Sequence, residues 1–196
     1  MIYIAIFDRI VAESRKARIG DIMEIKQCKI YPIIKRQGYI SPTKSPVISL
    51  IGDLEILLEI PSNEEKEILV TQEMLTDKDD AISLYHRACE DLVADVQFVV
   101  ANTLFGGFAV LADKKHESSA ICFQSIWTTC ADKLADDLLI MVPARDIVLF
   151  APKSGERVIE AMITQGESNY HTSSHKISRE IFMFNRNKRE LEFFGK

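Results

Sequence analysis

Two neighbouring charged residues, Arg145 and Asp146, are the first candidates for chemistry in this sequence. They interrupt two apolar runs in the stretch LLIMVPARDIVLFAP. A guanidinium group can bind a phosphate or a carboxylate through two parallel hydrogen bonds. Both residues also suit a turn, where the aspartate caps backbone amides and the arginine pairs with a neighbouring acid. The sequence favours the turn and leaves an anion-binding site at Arg145 and Asp146 as the alternative.

Two histidines, His171 and His175, stand four positions apart in YHTSSHK. Such a pair can ligate a metal ion if both lie on one helical turn with a carboxylate nearby. The intervening threonine and serines disfavour a helix, and no acid lies between the histidines. We therefore expect an exposed loop, with no metal site and no cofactor. His116 lies in the polar stretch DKKHES, which predicts only the tip of a hairpin.

The sequence lacks the motifs of the common catalytic and phosphate-binding sites. It has no GxSxG or SxxK nucleophile motif, no phosphate loop with its terminal lysine, and no GxGxxG at the start of a helix. The cysteines form no CxxC pair and fall mostly in apolar segments, which is typical of reduced thiols in a cytoplasmic protein. These features favour a non-catalytic protein.

Composition favours one domain. The 196 residues, of which 47% are apolar, suffice for one ordinary core, and residues 1–26 could form a protein-specific N-terminal extension. A formal charge of -5 argues against nucleic acid as a partner. No apolar run approaches the roughly 18 residues of a membrane span, and no basic residues precede the N-terminal apolar run, so a signal peptide is not indicated.

Apolar periodicity predicts three helices, near residues 78–93, 125–135 and 155–169. The first should begin after Thr76, with Asp79 completing a capping box. Its predicted buried stripe consists of Ile82, Tyr85, Cys89, Leu92 and Val93. The second helix should be anchored in the core by Trp127, the only tryptophan.

The strand patterns come in pairs. LEILLEI alternates, so Leu54, Ile56 and Leu58 should be buried and Glu55 and Glu59 exposed to water. Residues 96–123 predict three antiparallel strands. Two further hairpins are predicted, one with its turn at residues 143–146 and one turning at residues 185–188. Short connections rule out a doubly wound parallel sheet for most of the chain, so the predicted fold is α+β, a mostly antiparallel sheet with about three helices packed on it.

Several segments resemble a bacterial family of unknown function typified by the YtpQ protein. They are IYPIIKRQGYI, GDLEILLEIPSNEEKEILVTQEML, LLIMVPARDIVLF and HKISREIFMFNRNKRELEFF, with GGFAVLAD and the helix around Trp127 between them. The resemblance covers roughly residues 27–196. Because that family has no established reaction or ligand, the resemblance implies a fold and no activity.

Two functions from different classes follow. The first is a non-catalytic protein-binding domain, in its narrower form an immunity-type inhibitor that neutralises a toxin. Small size and an acidic balance are consistent with it. The second is an enzyme that handles a small molecule or a phosphoester, with a site around Arg145 and Asp146 and one of the histidines His171 and His175.

Overall fold

A computed structural model describes residues 25–39, 45–62, 67–76 and 80–195. Nearly all of the predicted N-terminal extension, and Asp79 of the predicted capping box, lie outside these residues. Within them the chain forms three α-helices and ten strands in two antiparallel sheets. The predicted α+β fold is confirmed, although the strands divide into two sheets.

The strands lie in a four-stranded and a six-stranded sheet. In the smaller sheet β3 is central, with β1 on one side and β2 and β4 on the other. The larger sheet has the order β10-β9-β7-β8-β6-β5. The strands of the smaller sheet are β1 (Tyr31–Arg36), β2 (Ile48–Ile51), β3 (Leu54–Ile60) and β4 (Ile68–Leu69). Those of the larger sheet are β5 (Val99–Asn102), β6 (Phe108–Leu111), β7 (Leu138–Ala144), β8 (Ile147–Pro152), β9 (Ile181–Asn185) and β10 (Glu190–Gly195).

The helices lie close to where the periodicity predicts them. They are α1 (Ala81–Asp95), α2 (Gln124–Leu134) and α3 (Glu156–Thr172). Short 3-10 helices occupy Ile25–Gln27, Gln72–Met74 and Glu117–Cys122. Among the described residues no helix is both long and apolar enough to cross a membrane.

The six-stranded sheet is covered on both faces. On one face α3 packs over β7 and β8, and Met162 of the helix meets Met141 and Leu149 of the strands. The other face meets α1, α2 and the four-stranded sheet in the main core. Trp127 lies there with no exposed surface, and its indole N–H donates to the carbonyl oxygen of Ala120 at 3.0 Å. The predicted role of Trp127 as a core anchor is confirmed.

The buried stripe of α1 differs from the predicted one. The helix begins after Asp80, whose carboxylate accepts a hydrogen bond from the Ser83 N–H at 3.0 Å. Its fully buried side chains are Leu84, Ala88 and Leu92, an i, i+4, i+8 row. Ile82 and Val93 were wrongly assigned to the core and are 61% and 53% exposed. When apolar residues cover a wide arc of a helix, two adjacent apolar faces fit the same period, and the periodicity does not determine which of them faces the core.

The hairpin of β7 and β8 is confirmed, but its turn is shorter than predicted. Pro143 lies within β7 and is buried, and the turn consists of Arg145 and Asp146 alone. The register shifts between Met141 and Ala144. Because regular pairing is interrupted there, the missing N–H of a proline removes little of the hydrogen bonding between the two strands. The terminal hairpin is also confirmed, since residues 186–189 form the turn between β9 and β10.

The predicted third strand before residue 123 is wrong, because Glu117–Cys122 forms a 3-10 helix. A hydrogen-bonded turn precedes it, in which the Asp113 carboxylate accepts from the N–H groups of Lys115 and His116. A side chain that caps its own backbone in this way favours a turn over a continuing strand. This turn carries His116 into the interior.

Candidate functional site

Arg145 is held by an acidic residue from a distant part of the chain. Its guanidinium lies 3.2 Å from the Glu67 carboxylate, which Lys35 also contacts at 2.7 Å. Burial alone would raise the pKa of Glu67, but hydrogen bonds and charge from Lys35 and Arg145 lower it. The Asp146 side chain is exposed. One carboxylate thus faces two cations, Lys35 and Arg145, and an anion-binding role for Arg145 and Asp146 stays a prediction.

The predicted loop is wrong for one of the two candidate histidines, since the helix continues through Thr172. His171 is in the last turn of α3, exposed, with its Nε2 3.6 Å from Glu167. His175 follows the end of the helix and is also exposed. Its backbone carbonyl accepts a hydrogen bond from the Arg145 N–H at 3.0 Å, so the structure joins these two residues through the main chain. Among the described residues no group of three or more His, Cys, Asp or Glu is placed to hold a metal ion.

A buried histidine between two carboxylates is the main ionic feature of the interior. His116 Nε2 lies 2.7 Å from Glu59 Oε1 and Nδ1 lies 2.6 Å from Asp113 Oδ2. Lys115 reaches the same Glu59 oxygen at 3.1 Å. His116 is 3% exposed and Glu59 is 0% exposed. The expected solvent-facing position of Glu59 is wrong.

The two carboxylates stabilise the protonated form of this histidine. Burial alone would lower the pKa of His116, but hydrogen bonds and charges from Glu59 and Asp113 raise it above the ordinary value. Burial likewise would raise the pKa of Asp113, while the hydrogen bond from His116 lowers it. A histidine held by carboxylates can act as a general base only where it reaches a substrate. The burial of His116 favours a structural ion network.

A concave cleft opens between α1, the start of α2 and the β9–β10 hairpin. Its volume is about 370 Å³. The apolar part is formed by Leu50, Tyr85, Ile121, Cys122, Trp127, Phe184 and Leu191, and the polar part by Gln124, Arg189 and Glu190. Trp127, Phe184 and Ile121 are buried, whereas Gln124 and Glu190 are exposed. The cleft therefore has an apolar floor and a polar rim.

The rim is fixed by contacts between the helix and the hairpin. The Gln124 side-chain amide donates to the carbonyl oxygen of Arg189. The Arg189 guanidinium in turn lies 2.9 Å from Asp132 on α2. The backbone of Arg189 is left-handed, with φ of 59°, and directs the hairpin back toward α2. These contacts preorganise the cleft and hold its one arginine against Asp132, a carboxylate that Arg186 also contacts at 3.3 Å.

Tyr85 and Cys122 line the cleft, and the Cys122 thiol interacts with that of Cys89. A hydrogen bond from the Cys122 thiol lowers the pKa of Cys89, and the same bond together with burial raises the pKa of Cys122. The Tyr85 hydroxyl is 3.5 Å from the carbonyl oxygen of Cys122, and burial raises the pKa of its phenol. Cys89 is the thiol of this pair that ionises first, and no disulfide is formed.

Sequence reasoning missed the buried histidine and the cleft. His116 looked like a hairpin tip because its partner Glu59 is 57 positions away. The hydrogen-bonding aspartate three residues before the histidine was the one local signal. The cleft joins elements from four parts of the chain, and its tyrosine was assigned to the core.

Comparisons of the chain with protein-family models, curated proteins and solved structures found no match. The resemblance to the YtpQ-like family stays a prediction from the segments quoted above.

Proposed function

We propose that this chain is a non-catalytic protein-binding domain whose partner inserts an apolar side chain into the cleft. The observation that carries the proposal is the cleft's form, an apolar floor that includes Tyr85 and Trp127, surrounded by a polar rim. Protein interfaces place most of their binding energy in such pockets, where an aromatic or aliphatic anchor is shielded from water by polar surroundings.

The size of the cleft supports a side chain as its occupant. Its volume of about 370 Å³ is at the lower end of the range of small-molecule pockets, about 300–1,000 Å³. One wall is helix α1, on which Ile82 lies one turn before Tyr85 and is exposed. Apolar surface therefore continues beyond the cleft onto the helix, as expected where a protein covers a larger area than a small ligand does.

The arginines near the candidate sites are each held by an acidic residue. An arginine that binds a phosphate needs donors that are not already used by the fold. Arg189 at the rim is paired with Asp132, and Arg145 is paired with Glu67. Each pairing uses only part of the guanidinium, and the Nε of Arg145 has no hydrogen-bond partner among the described residues, so the proposal rests on the apolar floor and not on these charges.

A narrower form of the proposal makes the partner a toxin and the chain its immunity-type inhibitor in the cytoplasm. The acidic balance of the chain, a formal charge of -5, suits a basic partner. Isothermal titration against a toxin encoded beside the gene tests this form. A chain that binds no product of a neighbouring gene is not such an inhibitor.

Site-specific photocross-linking tests the wider proposal. A photoreactive amino acid placed at Gln124, at the rim of the cleft, should give a discrete protein adduct in the source cell. The same amino acid at Glu160, exposed on α3 and remote from the cleft, is the control and should not give it. Identical adducts from the two positions, or none from Gln124, would contradict the proposal.

A further inference from the structure

The six-stranded sheet ends in an uncharged edge at β5, which reads Val-Val-Ala-Asn. Among the described residues β5 pairs with β6 alone. Residues 96–112, which contain the whole β5–β6 hairpin, are the longest stretch of the sequence without Asp, Glu, Lys or Arg. Proteins usually protect such an edge with charges, proline or a covering segment. β5 has neither charge nor proline, and Val99 and Val100 are 47% and 40% exposed.

The other edge of the sheet is protected. β10 carries Glu190 and Glu192, and Lys188 forms an ion pair with Glu192 at 2.7 Å. Charged side chains along an edge oppose pairing with a like-charged strand. The β10 edge of the sheet therefore carries charged side chains and the β5 edge does not, so only the β10 edge is protected in this way against the addition of another strand.

The backbone of β5 presents hydrogen-bonding groups to the open edge. Thr103 N–H donates to the Gly107 carbonyl oxygen at 2.9 Å across the β5–β6 hairpin. Bonded and non-bonded pairs alternate in an antiparallel ladder, so Val100, three positions earlier, belongs to a non-bonded pair with β6. Its N–H and C=O groups, like those of Asn102, point away from β6.

We propose that β5 pairs antiparallel with β5 of a second copy of this chain, about a twofold axis normal to the sheet. The axis places Val100 opposite its own copy, and the two residues exchange two backbone hydrogen bonds. Val99 then lies opposite Ala101 of the second copy, so these pairs are all apolar. No like charges meet, despite the net charge of -5 on each chain.

The sequence of β5 favours a second copy of this chain as the strand that pairs with it. Closed twofold dimers use the same surface on both partners, and an uncharged edge with an outward-facing Val100 at its centre is complementary to itself. Only three residues of each β5 pair with the other copy, which is too little contact for a standard interface of about 1,200–2,000 Å². The dimer is therefore weak and depends on concentration. It uses elements other than the cleft, so dimerisation and partner binding at the cleft can fail independently.

Sedimentation velocity from low micromolar to near-millimolar concentration tests the proposal with Val100→Pro. Proline removes the outward N–H, and its fixed φ is tolerated on an edge strand. Two hydrogen bonds are lost per dimer, so the dimer dissociation constant should rise about thirtyfold. Val100→Lys, which places like charges at the axis, should also give a monomer, and it keeps the test available if the proline variant does not fold.

Val93→Lys is the matched control, because Val93 is 53% exposed, somewhat more than Val100, but lies on α1. It should dimerise as the unaltered chain does. A monomeric unaltered chain at every concentration would overturn the proposal, as would a dimer unaffected by both changes at Val100.

Discussion

Replacing His116 with glutamine tests the buried ion network directly. Glutamine is close in size and can keep one hydrogen bond, but it carries no charge. Glu59, which has no exposed surface, would lose its imidazolium partner, and Lys115 at 3.1 Å would be its remaining cationic contact. Its second oxygen, Oε2, already has no hydrogen-bond partner among the described residues. Removing one partner of a buried ion pair costs about 3–5 kcal/mol, and the retained lysine places the expected loss near the lower end at about pH 6.

The loss should shrink as the pH rises. The pKa of His116 in the folded chain is raised above its ordinary value of 6.5. At pH values between the ordinary pKa of histidine and the raised pKa in the folded chain, the folded chain binds more protons than the unfolded chain. Raising the pH through this range therefore lowers the stability of the unaltered protein. The slope due to this one group is at most about 1.4 kcal/mol per pH unit. The glutamine variant lacks this titration, so the difference in unfolding free energy should narrow with pH.

Urea unfolding followed by the fluorescence of the buried Trp127 measures this difference from about pH 6 to about pH 9. His86→Gln on the exposed side of α1 controls for the loss of a histidine elsewhere. A difference between His116→Gln and the unaltered chain that is constant across this range, or that widens with pH, would refute the assignment of a charged His116.

Two further predictions concern a tight backbone contact and the thiol pair. A Cβ atom at Gly107 would lie 2.9 Å from the Phe150 carbonyl oxygen, whereas at Gly155 the nearest such contact is 3.4 Å. Gly107→Ala should therefore lower the free energy of unfolding by about 1–3 kcal/mol, and Gly155→Ala should lower it by much less. Denaturant titrations measure both changes. Equal losses for the two variants would contradict the close contact at Gly107. Cys89 should be alkylated first of the four cysteines, because its pKa alone is lowered among them, and Cys122→Ala, which removes the hydrogen-bond donor, should slow that reaction. Mass spectrometry of partly modified protein measures the order, and preferential labelling of Cys28 or Cys130 would disprove it.

Local patterns were sufficient to predict much of the fold. The helices lie near their predicted positions because the apolar period over a whole turn depends only on nearby residues. The hairpin of β7 and β8 was predicted equally well, because two apolar runs joined by a link as short as Arg145 and Asp146 can pair only as adjacent antiparallel strands. Trp127 was correctly placed in the core because of its size and its position on an apolar helix face.

Features that depend on distant contacts were not predictable. Alternation along β3 separates two faces but does not reveal that the second face is also covered, and Glu59 was therefore placed in water. The partner of Arg145 is Glu67, 78 positions away. The cleft required the packing of α1 against the terminal hairpin, which no local pattern encodes. On α1 itself, two apolar stripes left the choice of buried face to tertiary contacts.

The most direct test of the proposed function is a titration of the partner identified by cross-linking. Binding should weaken about thirtyfold or more for Tyr85→Ala, which removes an aromatic side chain from the cleft. The neighbouring His86→Ala, exposed on the same helix and outside the cleft, should bind as the unaltered chain does. Unfolding curves should show that both variants are folded. Equal affinity of the partner for the folded Tyr85→Ala variant and for the unaltered chain would contradict binding through this cleft.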